Sequence, residues 1–169
     1  YGDDVKIRAK ARAAAGSDAR MGGCSLPVVI NSGSGNQGMT VSLPVIEFAK
    51  SLFCTEEQLY RALVVSNLVA IHQKKYIGSL SAYCGAVSAA CGSGAAITYL
   101  YGGNYEDISA TIVNTIGNVG GIVCDGAKSS CAAKIATAVD VAILGHFLGR
   151  KHHWFQPGEG IVQKDVEGT

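Results

Sequence analysis

Six cysteines, Cys24, Cys54, Cys84, Cys91, Cys124 and Cys131, are the side chains best suited to chemistry here, because a thiolate is both a nucleophile and a soft metal ligand. The last four sit among small residues, in CGAVSAACGSG and VCDGAKSSC. Cys84 and Cys91 are seven residues apart, which on a straight helix puts them on one face but about 10 Å apart along the axis. At most one of them is then a ligand to a given ion, unless the helix breaks at Gly85 or near Gly92. Cys124 lies at a turn and Cys131 about one turn into the helix expected after it, so a loop that folds back brings these two together. The spacing matches neither the zinc-finger and zinc-ribbon patterns nor the compact runs of small ferredoxins. Free cysteine also packs well among Ala and Gly, so spacing alone leaves both readings open, ligand and core.

A second constellation is Asn31-Ser32-Gly33-Ser34-Gly35-Asn36-Gln37-Gly38. Its small residues leave little to bury, and its N–H groups suit a carboxylate or phosphate if the next helix points its N-terminus at the same spot. It is neither a Walker A loop nor a dinucleotide fingerprint, since no Lys follows in place and no strand with a downstream acid flanks it. A tight packing corner is the structural alternative. His72, His146, His152 and His153 read as structural or surface residues, and no Ser/His/Asp triad can be assembled from them.

Helical spacing accounts for nearly every long segment that must position these residues. Residues 5–20 form a polar helix or ordered arm. A helix is expected from about Val41 or Pro44 through Phe53, with Pro44 near its start or at a kink. Thr55-Glu56-Glu57-Gln58 is a capping box that opens the next helix, whose stripe of Leu59, Leu63, Val64, Val65, Leu68 and Ile71 is expected inward as far as the stop at Gly78. Ser79 to Tyr101 reads as a buried small-residue helix with a break at Cys91-Gly92-Ser93-Gly94. Asn104 caps a helix carrying Ile108, Ile112, Val113 and Ile116. Ser129 and Ser130 are expected to cap a final helix to about Leu148, with Ile135, Val139, Ile143 and Leu144 inward, followed by a basic, turn-rich tail. No βαβ repeat or alternating strand stands out, so the fold class predicted is all-α, a compact helical domain with Gly-rich turns.

The 169 residues suit one domain. Charged residues make up 16% against 48% hydrophobic, which argues against disorder, and 14 Lys+Arg against 13 Asp+Glu leave +1. That balance provides no field for nucleic acid or an anionic membrane. The 22 glycines cluster at turns instead of recurring every third residue, which excludes collagen. A chain this long needs no disulfide staples and opens with no signal peptide, so the cysteines are expected to be reduced thiols or ligands in a cytoplasmic protein. Apolar runs are broken too often to predict a membrane span. The chain also reads as a piece of a longer one.

Three motifs in order, MGGCSLPVVINSGSGNQGMTVSLPV, CGAVSAACGSGAA and TIGNVGGIVCDGAKSSCAAKIATA, resemble the L-cysteine desulfidase group of the serine dehydratase alpha-chain superfamily, which includes many uncharacterised members. The resemblance covers nearly the whole chain as one serine dehydratase alpha-chain-like domain over residues 1–169, and is similar to the C-terminal part of a full-length member. It implies a [4Fe–4S] cluster held by Cys84, Cys124 and Cys131, with no pyridoxal phosphate, and Cys91 as a neighbouring packing cysteine. It implies an amino-acid lyase releasing hydrogen sulfide, ammonia and pyruvate from L-cysteine, or dehydrating L-serine by the same chemistry. In that reading Asn31, Ser32, Gly33, Ser34, Gly35 and Asn36 hold the substrate carboxylate. Lys128 and Ser129, between two of the implied ligands, are the candidate bases. A zinc ion on the same three thiolates, or a non-catalytic helical module whose thiols are core residues, are the rivals, and a homodimer is a further expectation.

Overall fold

The computed structural model describes residues 2–169 and consists of α1 (Val5–Met21), α2 (Gly35–Ser51), α3 (Glu56–Ile77), α4 (Gly85–Leu100), α5 (Tyr105–Asn118) and α6 (Cys131–Arg150). Among the described residues, the β pairings are two isolated antiparallel bridges, Asn31 with Ser34 and Tyr83 with Val123. The fold is all-α, as its helical periodicities require.

Helix α4 is the axle of the molecule. It packs against α2, α3, α5 and α6, while α1 lies across α2 and α6. Every residue from Ala86 to Thr98 is buried, and nearly all are Ala, Gly, Ser or Cys, so neighbouring backbones come close. The expected break at Cys91–Gly94 does not occur. Those glycines serve contact: a Cβ at Gly92 would lie 2.3 Å from the Ser66 carbonyl oxygen of α3, closer than any side chain tolerates. The helix also begins later than expected, at Gly85, so Cys84 is its N-cap and is not on a helix face shared with Cys91.

This close seam inverts the face of α3. Ala62, Ser66 and Ala70 are its buried residues, one every four positions, and the Ser66 hydroxyl donates to the Val41 carbonyl at 2.7 Å. Leu59 and Leu63 pack at the edge of the core, but Val64, Leu68 and Ile71 of the expected inward stripe are exposed. Large side chains cannot occupy a seam where two backbones nearly touch. The Thr55–Gln58 capping box forms as predicted, and Asn104 makes a second one with Asp107.

Two further boundaries differ from expectation. Helix α2 starts at Gly35 on the N-cap Ser34, so Pro44 sits in its interior, buried. The Thr40 and Ser42 hydroxyls bond back to the Asn36 and Gly38 carbonyls. Helix α6 starts at Cys131 itself, with no side-chain cap from Ser130. Ile135, Val139 and Ile143 are buried in the main core with Phe48, Ile97 and Val87, whereas Leu144 is exposed. By length and composition alone α6 could cross a membrane. Its buried residues here face α1, α4 and α5. After α6, Asn114 clamps the tail to α5, its amide donating to the His153 carbonyl and its oxygen accepting from the Phe155 N–H, both at 3.0 Å.

Candidate functional site

The turn at residues 31–34 is closed by reciprocal backbone bonds between Asn31 and Ser34, at 3.2 and 3.0 Å. Ser32 and Gly33 between them both have positive φ, 50° and 81°, the pattern of a type I′ turn. The Asn31 amide is buried and anchors this turn to α3 by donating to Asn67 Oδ1 at 2.9 Å, while its own oxygen accepts from the Ser32 hydroxyl. Gly35 and Asn36 belong to the first turn of α2, with Ser34 accepting from the Gln37 N–H. The turn and the helix N-terminus are therefore one unit, as an anion-binding element requires. Arg20, on α1, donates to Asn36 Oδ1 at 3.2 Å and brings a cation to it. Nothing in the sequence spacing pointed to Arg20.

Gln37 joins this unit to the thiols. Its amide lies against the N-terminus of α4, where a Cβ at Gly85 would sit 2.4 Å from Gln37 Cδ, so a larger residue there would have to push the Gln37 amide aside. Gln37 Oε1 is buried there with no hydrogen-bond partner. An orphaned buried acceptor costs stability and marks a place where a ligand donor is welcome. Gln37 stood inside the Gly-rich motif, but only its position in space separates it from its neighbours.

The thiols are set by the second bridge. The Cys84 N–H donates to the Ile122 carbonyl and the Cys124 N–H to the Ala82 carbonyl, each at 2.7 Å. Alternation across this short ladder turns Tyr83 and Val123 to one face and Cys84 and Cys124 to the other, a diagonal pair with Cβ atoms on the order of 7 Å apart. The 124–131 loop folds back as expected. Cys131 Sγ accepts from the Lys128 N–H at 3.4 Å and lies 3.8 Å from the Gly126 carbonyl. Cys84 is half-buried, Cys131 buried and Cys124 exposed.

Burial pushes the Cys84 thiol above its usual range, the Ala86 N–H opposes that, and negative charge on Cys124 or Cys131 would push it further up. Both other sulfurs thus lie within electrostatic reach of Cys84. Lys134, one turn along α6 from Cys131, donates to the Val123 carbonyl at 3.1 Å and pairs with Asp125. Its hydrogen bond to Asp125 raises its pKa, and the Asp125, Cys84 and Cys131 charges add to that, so it is a fixed cation beside the thiols. The sequence reading passed over it in favour of Lys128, whose amine bonds the Asp125 carbonyl, and Ser129, which is exposed.

Among the described residues, no three His, Cys, Asp or Glu side chains close on a point as they would around a single ion. Thiolates suit zinc and iron–sulfur clusters alike, but a multi-iron cluster spaces its thiolates at its corners and does not need them to converge on one ion. Cys91 is outside this group. It is fully buried, accepts from Gln73 Nε2 at 2.9 Å, and burial pushes its thiol up to about 12, so it is an inert packing residue. Cys24 lies on the loop after α1, within the first of the three motifs, and Cys54 on the loop after α2, outside them.

The architecture is all-α, with a Gly-rich turn, thiols at the N-termini of α4 and α6 and a third on the loop that leads into α6, and the family follows from comparison. The family model described as serine dehydratase alpha chain matches residues 2–169, and the chain belongs to that family. It is 69% identical over its whole length to a UPF0597 protein of Lachnoclostridium phytofermentans, covering 40% of that relative. A UPF0597 protein of Desulfitobacterium hafniense is 65% identical over 169 residues, with 39% of it covered, and one of Treponema denticola is 58% identical over 170 residues, covering 99% of this chain and 39% of the relative. The chain thus spans about two-fifths of the length of these curated relatives. No solved structure matches it.

Proposed function

We propose that this chain is part of an iron–sulfur lyase that converts L-cysteine to hydrogen sulfide, ammonia and pyruvate, with Cys84, Cys124 and Cys131 holding a [4Fe–4S] cluster. The observation that carries this reading is the Tyr83–Val123 bridge. It sets Cys84 and Cys124 on one face beside Cys131, with Gln37 of the Gly-rich unit against Gly85, the residue next to Cys84. When bound through three thiolates, such a cluster keeps one iron open as a Lewis acid for the substrate carboxylate and the leaving group.

The chain's own groups do the rest. The N–H groups of Ser32, Gly33, Gly35 and Asn36, the Ser34 hydroxyl, and Asn36 backed by Arg20 take the carboxylate. Gln37 Oε1 accepts from the substrate ammonium and orients Cα. Lys134 offsets the charge of the thiolates. Lys128 or Ser129, between Cys124 and Cys131, removes the α-proton. The Cβ–S bond then breaks and the sulfide leaves as hydrogen sulfide after taking a proton. The aminoacrylate that remains tautomerises to an imine, which water hydrolyses to pyruvate and ammonia. In this reading the enzyme is cytoplasmic, its partner is a small amino acid, and neither nucleic acid, membrane nor pyridoxal phosphate takes part.

L-Serine is the second reading, favoured by the description of the matching family as serine dehydratase. Only the leaving group differs. The test is to reconstitute the full-length protein without oxygen and offer each amino acid separately. Equal yields of sulfide and pyruvate from cysteine support the desulfidase; pyruvate from serine with no sulfide from cysteine overturns it in favour of the dehydratase. Pyruvate from neither would leave the helical module without catalysis as the better account.

A further inference from the structure

An apolar groove of about 820 Å³ runs between α3 and α5, with Cys84 and, on α4, Val87 and Ser88 at its floor; the chain's own C-terminal segment also lines it, Ile161 beside Gly120 after α5 and Glu167 bonded to His72 of α3 at 2.9 Å. It is several times larger than a three-carbon amino acid needs. Its α3 wall carries Leu68, Ile71 and Tyr76, spaced three and five residues apart along one side of the helix, and its α5 wall carries Tyr105, Ile108 and Ile112. Leu68 is 60% exposed, Tyr76 69% and Tyr105 73%. Soluble proteins seldom leave a contiguous patch of this kind bare. Val64, 56% exposed, continues the α3 stripe past the groove.

Two apolar walls facing each other across a groove can seat a helix with an apolar face. The relatives supply the occupant, since three-fifths of their length has no counterpart in these 169 residues. We propose that the α3–α5 groove is the docking site for an apolar-faced helix from the remainder of the same polypeptide, which closes the Cys84 end of the site from water. This stands whether or not the thiols bind iron.

The test uses the full-length protein with a photoreactive phenylalanine analogue replacing Leu68 or, separately, Tyr105, and with Phe53 replaced as the control. Phe53 is 94% exposed and follows α2 at the opposite end of α3. The expected result is a crosslink within one polypeptide, from both groove positions and not from Phe53, to peptides outside residues 1–169. A crosslink to a second copy, or none from either groove position, overturns the proposal. Independently, Leu68→Glu combined with Tyr105→Glu should speed proteolysis of the region outside these residues at least tenfold while helicity is kept. An unchanged cleavage rate contradicts it.

Discussion

Gln37 carries the most specific claim at the scale of single residues, because its buried, unpartnered oxygen is the point where the Gly-rich unit meets the thiols. Gln37→Leu keeps the size and removes the acceptor. It should raise the KM for the amino acid roughly tenfold or more, the cost of about one charged hydrogen bond, with iron content unchanged. Loss of iron instead would mean that Gln37 shapes the thiol cluster. His146 offers a separate test. It is fully buried between Thr98, whose hydroxyl is 2.8 Å from Nδ1, and the Tyr101 ring, and burial, with the Arg150 charge second, lowers its pKa from 6.5 to about 4. Between those values the unfolded chain takes up a proton that the folded chain refuses, so the contribution is complete above pH 6.5 and is lost as pH falls toward 4. Urea midpoints should decline across that window in the wild type, and His146→Asn, whatever its absolute stability, should lack that part of the slope.

At the scale of elements, the helices, the Thr55–Gln58 capping box and the Asn104 cap were legible because spacing and caps are local. The seam was not. Val64, Leu68 and Ile71 read as a core stripe by periodicity, yet Ala62, Ser66 and Ala70 are inside because Gly92 of α4 draws the two backbones together, which no periodicity of α3 alone contains. The start of α2 was hidden for a related reason. Gly35, Asn36 and Gly38 have poor helix propensity, and only the Ser34 cap and the packing around them make them a first turn. The same seam gives a prediction. Gly92→Ala places a methyl against the Ser66 carbonyl and should lower stability by about 1–3 kcal/mol, the usual cost of overpacking. Chemical denaturation would measure it, and an unchanged or raised midpoint would contradict the close seam.

The whole molecule adds what neither residue nor helix reveals. Cys84, Cys124 and Cys131 come from three points of the chain, and the tie between the first two is a bridge of one residue pair that no strand pattern announces. Motif resemblance pointed to these cysteines, whereas spacing alone left them open between ligand and core. Lys134 escaped notice because its relation to Cys84 exists only in space. The docking proposal belongs to the same scale: in it, the helices present here wall the groove at Cys84 on one side and chain outside residues 1–169 covers the other. The central claim is that three thiols hold the cluster on which the lyase depends. The most direct measurement is iron content together with pyruvate release in full-length protein reconstituted without oxygen, for the wild type and for Cys84→Ser, Cys124→Ser, Cys131→Ser and Cys91→Ala. The account predicts that each of the three serine variants loses iron and pyruvate release together, while Cys91→Ala keeps both. Serine variants that retain wild-type iron and turnover, or a wild type that releases pyruvate without iron, would contradict it.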